Sequence, residues 1–201
     1  DQTSFFSKKE KVKYSNMVFY HKKKFFIPLT IHIEIKKVYK SFQNKILMSK
    51  KIENLYYTLV NDFKITKPKM ILAGINPHAG ENKTISKDDN KYLLPIINLL
   101  KKRGLFIDGP VSGDGMINNQ NLNYYDAFIF TYHDQALIPF KILSNYQGVN
   151  FTSNLDIIRV SPSHGTAENL IGSKKVISNG IINCFNLIKK INRNRNKIDS
   201  S

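Results

Sequence analysis

The chain has 201 residues, 41% of them hydrophobic, which is enough to bury the core of one or two packed units. Its formal net charge is +16, but lysine far outnumbers arginine and is spread along the whole sequence, so solvated surface charge is favoured over a nucleic-acid-binding protein. The sequence has neither the ~18 unbroken apolar residues of a membrane span nor a secretory signal, and we expect a cytoplasmic protein that does not bind a membrane.

The first predicted elements are a strand, a helix and a second strand. Residues 25–33 are rich in β-branched and aromatic side chains, which predicts a strand with His32 at its C-terminal end. A helix follows, because apolar residues recur at helical spacing at Ile52, Leu55, Tyr56, Leu59, Val60 and Phe63. Lys67-Pro68 ends that segment, and residues 69–75 form a short apolar run typical of a buried strand.

The second half of the chain continues the alternation. A helix is predicted at 91–102, with Gly104 at its C-terminal stop. The remaining predicted elements are strands at 105–107, 126–132 and 155–160 and a helical tail from about 167 to 191, broken near Gly172-Ser173. This alternation favours an α/β fold with a layered, mostly parallel sheet flanked by helices.

Three of the five histidines, His32, His78 and His133, stand at or just past the C-terminal ends of predicted strands. In open α/β sheets this edge is where ligands bind. Three neutral imidazoles could hold Zn²⁺ or a similar divalent ion and leave coordination positions open for a substrate. The alternative for each is a hydrogen-bonded structural histidine, since their spacing matches no local zinc motif.

Lys141, Asn150 and Arg159 follow the third of these histidines. A point charge, an amide and a planar guanidinium could together hold a small molecule that carries phosphate and carboxylate groups. The alternative for Arg159 is a surface salt bridge to Asp156 or Glu168.

Several short stretches together resemble the 4-hydroxythreonine-4-phosphate dehydrogenase family of pyridoxal phosphate (vitamin B6) biosynthesis. In chain order they are TIHI (30–33), GINPHAGE (74–81), YHDQALIPFK (132–141), QGVN (147–150) and IIRVSPSHGTA (157–167). The resemblance implies a fold like that of isocitrate and isopropylmalate dehydrogenases, without about the first two fifths of the usual family length. Residues 1–66 would then belong to the substrate and metal domain with a connecting helix, and residues 67–201 to the C-terminal α/β region.

The resemblance also implies roles for individual residues. The metal would be bound by His32, His78 and His133, the substrate by Gln2, Thr3, Lys141, Asn150 and Arg159, and the cofactor by the loop His164, Gly165, Thr166 and Ala167. Two positions depart from the family pattern. Gln2 stands where a histidine is usual and cannot carry a proton charge, and Ser163 stands where an aspartate is usual.

The activity implied by the resemblance is an oxidation of 4-phosphooxy-L-threonine that depends on NAD and on a divalent metal, which could be Zn, Co or Mg. Decarboxylation then gives 3-amino-2-oxopropyl phosphate. The family is dimeric, so we expect a homodimer with a shared active site. The departures and the short chain leave two alternatives, an inactive or partial remnant that binds metal or ligand only, and a basic nucleic-acid-binding protein.

Overall fold

A computed structural model describes residues 2–163 and 178–196 of the chain. Within them seven strands form one sheet in the order β4-β3-β5-β2-β1-β6-β7. The strands are β1 (Met17–His21), β2 (Lys24–Pro28), β3 (Met70–Ala73), β4 (Ile107–Val111), β5 (Ala127–Phe130), β6 (Val149–Thr152) and β7 (Val160–Pro162).

Helices cover both faces of this sheet. They are α1 (Gln2–Lys9), α2 (Val38–Ser41), α3 (Lys45–Phe63), α4 (Leu94–Lys102), α5 (Asn119–Tyr124), α6 (His133–Ser144) and α7 (Asn179–Asn196). The long helix α3 begins where the Asn44 side chain accepts a hydrogen bond from the Leu47 N–H, and it ends at Lys64, which has a left-handed conformation. No helix in these two ranges combines the length and the apolar character that crossing a bilayer requires.

The sheet is mixed. The strands β2, β3, β4 and β5 are parallel neighbours, whereas β1 is antiparallel to both β2 and β6, and β7 is antiparallel to β6. Only β1 and β7 therefore run against the common direction. The predicted α/β class is confirmed, and an antiparallel extension is added to the parallel half.

The alternating strand residues build one hydrophobic core on each face of the sheet. Phe25 and Ile27 point to the face covered by α3, α4 and α7, whereas Phe26 between them points to the face covered by α6. On the first face Arg195 of α7 donates two hydrogen bonds of 2.8 Å to the carboxylate of Asp62 in α3. This bidentate pair joins the last described helix to the core.

On the second face Phe140 of α6 packs against the aromatic rings of Phe19 and Phe26. Its ring also lies against the backbone of Gly148, immediately before β6, so closely that a Cβ atom at this position would overlap it. The glycine of the QGVN stretch is therefore required by packing.

Two predicted strands have different limits in the structure. The strand predicted at 25–33 ends at Pro28, so His32 lies in the following loop with a positive φ of 51°. The strand predicted at 155–160 is wrong for most of its length, because β7 begins only at Val160. The backbone N–H groups of Asp156 and Ile157 donate to the Glu10 carboxylate, so they have no need of a neighbouring strand.

Other elements also differ from prediction. The predicted helix at 91–102 opens with a π turn at Asp89–Leu93 before α4. The brief strand predicted at 105–107 is β4, which starts at Ile107 and is longer. The predicted tail helix is described from Asn179 onward as α7, while residues 164–177, including the break near Gly172-Ser173, lie outside the described residues.

Candidate active site

Two of the three predicted metal-binding histidines meet at one edge of the sheet. The strands β2 and β5 are parallel neighbours, with Pro28 paired to Phe130, so the chain leaves both at the same edge. His32 follows β2 in a loop, and His133 is the first residue of α6. Their ring centroids are 5.4 Å apart. The Thr30 hydroxyl donates a 2.7 Å hydrogen bond to the Thr131 carbonyl and thereby joins the two segments.

The surroundings of His32 favour a neutral imidazole, and those of His133 orient its ring. Desolvation lowers the pKa of His32 below its usual value, and the neighbouring His133 lowers it further, because two imidazolium charges side by side repel each other. The His133 Nδ1 lies 2.7 Å from a carboxylate oxygen of Asp134. Such a carboxylate orients a histidine and directs its other nitrogen, Nε2, toward a ligand. A neutral, oriented imidazole is the form that binds a metal ion.

His78 stands in the turn that leaves β3, and a buried carboxylate holds this turn. Asp89, fully shielded from solvent, accepts hydrogen bonds from the Ile75 N–H at 2.7 Å and from the Asn76 side-chain amide at 2.8 Å. Gly74 leaves room for the fold of the turn, since a Cβ there would lie 2.8 Å from Asp89 Oδ1. His78 itself is exposed and has a positive φ of 52°.

His78 and the histidine pair line separate but adjoining cavities. His78 lines one of about 430 Å³, and His32 and His133 line a small one of about 40 Å³. Tyr132 and Asp134 contribute to both walls. Within the residues that the structure describes, no group of three or more His, Cys, Asp or Glu side chains is close enough to hold a metal ion. The structure thus brings two of the three predicted ligands together, and the third lines the adjoining cavity.

Three of the predicted substrate-binding residues share one face of the sheet. The Thr152 N–H donates to the Arg159 carbonyl at 3.2 Å, so Thr152 and Arg159 are opposite each other on β6 and the approach to β7. Asn150 is two residues from Thr152 and faces the same side. Thr3 of α1 is buried on this side, with its hydroxyl oxygen 3.3 Å from that of Thr152.

The polar groups of this face are suited to a ligand that carries both an anionic group and a hydrogen-bond donor. Arg159 is partly buried, and its burial lowers the pKa of the guanidinium from the usual value without removing its charge. The Asn150 Oδ1 atom is buried and has no hydrogen-bond partner among the described residues. A buried acceptor of this kind requires a donor, such as an ordered water or an N–H or O–H group of a bound molecule.

The remaining predicted substrate- and cofactor-binding residues are Lys141, Gln2 and the loop 164–167. Lys141 is exposed on α6, eight residues beyond His133, which is about 12 Å along the helix axis. Gln2 begins α1 next to Thr3, but its side chain is outside the described part of the structure. The predicted cofactor loop, His164, Gly165, Thr166 and Ala167, also lies outside the described residues.

Sequence reasoning gave no role to Gln135, which connects the histidine-bearing segments. Its Oε1 accepts from the N–H and the hydroxyl of Thr131, both at 2.9 Å, and its Nε2 donates to the Gly74 carbonyl at 2.9 Å. Gln135 therefore joins the end of β5, before His133, to the end of β3, before His78. The sequence signal for this role is the position of Gln135 in the YHDQ stretch, two residues after His133.

Comparison with known proteins identifies the family. Residues 1–188 match the family of the pyridoxal phosphate biosynthetic protein PdxA. This chain belongs to the PdxA family. Among its PdxA relatives, the 4-hydroxythreonine-4-phosphate dehydrogenase of Zymomonas mobilis is 39% identical over 149 residues, which are 74% of this chain and 44% of that protein. The enzyme of that name from Aquifex aeolicus is 34% identical over 190 residues, 94% of this chain and 58% of the relative.

Solved PdxA structures share the fold. The crystal structure of 4-hydroxythreonine-4-phosphate dehydrogenase from Klebsiella pneumoniae superposes with a TM-score of 0.81 at 28% sequence identity and covers 94% of this chain and 57% of that one. The chain therefore spans less than two thirds of the length of each of these PdxA relatives.

Proposed function

We propose that this PdxA family member acts in pyridoxal phosphate biosynthesis as an NAD-dependent and divalent-metal-dependent dehydrogenase. It would oxidise 4-phosphooxy-L-threonine and decarboxylate the product to 3-amino-2-oxopropyl phosphate. The observation that carries the proposal is the His32–His133 pair, 5.4 Å apart at the sheet edge where α/β folds bind ligands. The names of the relatives support the same substrate.

The chain's own residues have distinct tasks in this reaction. His32 and His133 would hold the metal, which could be Zn, Co or Mg, and a homodimer with a shared active site would bring the third imidazole from the partner subunit. When bound, the cation would stabilise negative charge on a substrate oxygen, and NAD would supply the hydride acceptor. Asp134 keeps the His133 ring oriented through the 2.7 Å contact to Nδ1.

The substrate would be held on the face shared by Thr3, Asn150 and Arg159. The planar guanidinium of Arg159 matches a carboxylate or phosphate, and the Asn150 amide adds a neutral hydrogen-bonding group. Lys141 would supply a second positive charge from α6. Gln2 would bind more weakly than the histidine usual in the family, since it is always neutral. The loop at His164–Ala167 would contact NAD.

The first experiment measures metal binding and turnover by the purified chain. Substrate-dependent NADH formation is expected with added Zn²⁺, Co²⁺ or Mg²⁺. His133→Gln should weaken Co²⁺ binding at least about 100-fold, because even the loss of an outer partner of a metal ligand costs about 10–100-fold. His21→Gln should leave Co²⁺ binding unchanged, because His21 ends β1 beside the start of β2, at the opposite edge of the sheet from the histidine pair. Metal binding without any NADH formation would contradict the enzyme proposal and favour a ligand-binding remnant.

A second experiment tests the shared site directly. Chains with His78→Gln and chains with His133→Gln are each expected to lack intact sites, and they are then mixed under conditions that exchange subunits. If the third imidazole comes from the partner subunit, half of the dimers become mixed and each of these has one intact site, which restores about a quarter of the wild-type Co²⁺ sites. If all ligands came from one chain, mixing would restore none.

A further inference from the structure

A second cavity, of about 280 Å³, lies at the opposite edge of the sheet from the histidine pair. Since β1 and β2 are antiparallel, with His21 paired to Lys24, the end of β1 lies beside the start of β2. The histidine pair lies beyond the other end of β2, about 13 Å away at 3.3 Å per residue. The cavity is thus separate from the candidate active site.

The wall of this cavity carries positive charge and hydrogen-bond donors. Its polar lining side chains are His21, Lys22, Gln147, Asn183, Asn186 and Lys190, together with the hydroxyl of Tyr20. The lining that the described residues provide contains no carboxylate. A wall with two ammonium groups, an imidazole and several amides has nothing of opposite charge to offset its field, and therefore attracts anions.

The wall is also ordered in advance. The Lys190 ammonium donates a 3.4 Å hydrogen bond to the Tyr20 hydroxyl and stands 5.1 Å from the centre of the Phe63 ring. The Asn183 amide donates a 2.8 Å hydrogen bond to the Gln147 carbonyl and fixes α7 against the start of β6. Groups already held in place lose little conformational freedom when a ligand binds.

The geometry points to a binding site for the phosphate group of a small molecule in this cavity. Its volume of about 280 Å³ is more than one phosphate ion needs. The apolar atoms of Tyr20, Val149 and Leu187 line the remaining space and would contact the organic part. The source of the phosphate is either a phosphate monoester or the diphosphate of a dinucleotide, since both present the same group.

His21 reports on the occupancy of the site. Burial lowers the pKa of this imidazole, and the charge of Lys22 lowers it further. Lys190 and Tyr20 also line the cavity that His21 faces. A bound phosphate dianion would reverse the sign of the local field and raise the pKa of His21.

The test uses the full chain and inorganic phosphate as the probe. An NMR titration of the His21 ring with and without phosphate should show a higher pKa when phosphate is present. By calorimetry Lys22→Gln and Lys190→Gln should each weaken phosphate binding at least about tenfold, the lower limit for the loss of one charge-assisted hydrogen bond. Lys22 is exposed in the β1–β2 turn, so its replacement leaves the fold intact. Lys102→Gln removes the same charge from the exposed end of α4 and should change binding less than about twofold.

Competition assays then distinguish the sources of the phosphate. If NAD displaces phosphate, the ligand is the dinucleotide. If a phosphate monoester displaces it, the ligand is the monoester, and if neither does, the ligand is the phosphate ion itself. Each of these results supports the site. An unchanged His21 titration would overturn the proposal. So would an equal loss of binding in Lys102→Gln, because the effect would then be one of net charge alone. Neither result bears on the Co²⁺ measurements at His133.

Discussion

Asp89 is the residue whose replacement tests how the His78 turn is held. Its buried carboxylate accepts from the Ile75 N–H at 2.7 Å and from the Asn76 amide at 2.8 Å. In Asp89→Asn the new amide can still accept one hydrogen bond, but in the wild-type arrangement its NH₂ group faces either the Ile75 N–H or the NH₂ of Asn76. One charge-assisted hydrogen bond of about 1.5–3 kcal/mol is lost, and a buried donor that costs about 1–3 kcal/mol is left unpaired. Part of this is offset, because burying a carboxylate is itself unfavourable, so we expect the free energy of unfolding to fall by about 2–4 kcal/mol.

Urea denaturation followed by circular dichroism measures this difference. The matched control is Asp88→Asn, which makes the same change at the neighbouring position, where the side chain is only partly buried. The control should stay within about 0.5 kcal/mol of the wild type. Equal denaturation midpoints for the two variants, at unchanged slopes, would refute the claim that the Asp89 carboxylate holds the turn.

Three further predictions follow from the described contacts. His133→Gln should raise the pKa of His32 in an NMR titration, because it removes the second of the causes that lower it; an unchanged value would refute a contribution from His133. Burial lowers the pKa of Lys51 from 10.5 to about 8, so between these pH values the unfolded chain binds more protons than the folded one. The free energy of unfolding should therefore rise with pH across this window, and it should rise more steeply in the wild type than in Lys51→Met. Gly148→Ala should lower the free energy of unfolding by about 1–3 kcal/mol, because the new Cβ atom overlaps the Phe140 ring. Gly115→Ala should be nearly neutral in the same urea assay, because a Cβ atom there meets nothing within 4 Å.

The parallel half of the sheet could be predicted from the sequence because its signals are local. The strands β3 and β5 are fully buried apolar runs, and α3 shows its apolar face at helical spacing. The strand β1 and its hairpin turn to β2 were missed because that turn carries no recognisable signal. Lys22 and Lys23 both have positive φ there, at 44° and 66°, where glycine, asparagine or aspartate is normally expected.

The helix α6 was missed for a different reason. Pro139 lies inside it, and a proline in a helix interior removes a backbone donor and disfavours the helical prediction. In the structure the helix is retained because Phe140 and Ala136 pack into the core of the second face. Tertiary packing thus outweighs the local preference, and the segment that starts with His133 becomes a helix whose first residue faces the sheet edge.

The same reasoning explains why the sequence predicted the location of the candidate site better than its assembly. Strand ends show which edge each histidine occupies, and the order β3-β5-β2 then places His133 between His78 and His32 along that edge. Adjacent strands are about 4.8 Å apart, so the ends that precede His78 and His32 are separated by about 10 Å. Side chains can bridge such a backbone separation, so strand spacing alone does not keep His78 from the pair. His32 and His133, direct neighbours on the sheet, line one cavity, whereas the turn after β3 places His78 in the wall of the adjoining cavity. The buried Asp89 carboxylate holds that turn, and this tertiary contact is not encoded in any local sequence pattern.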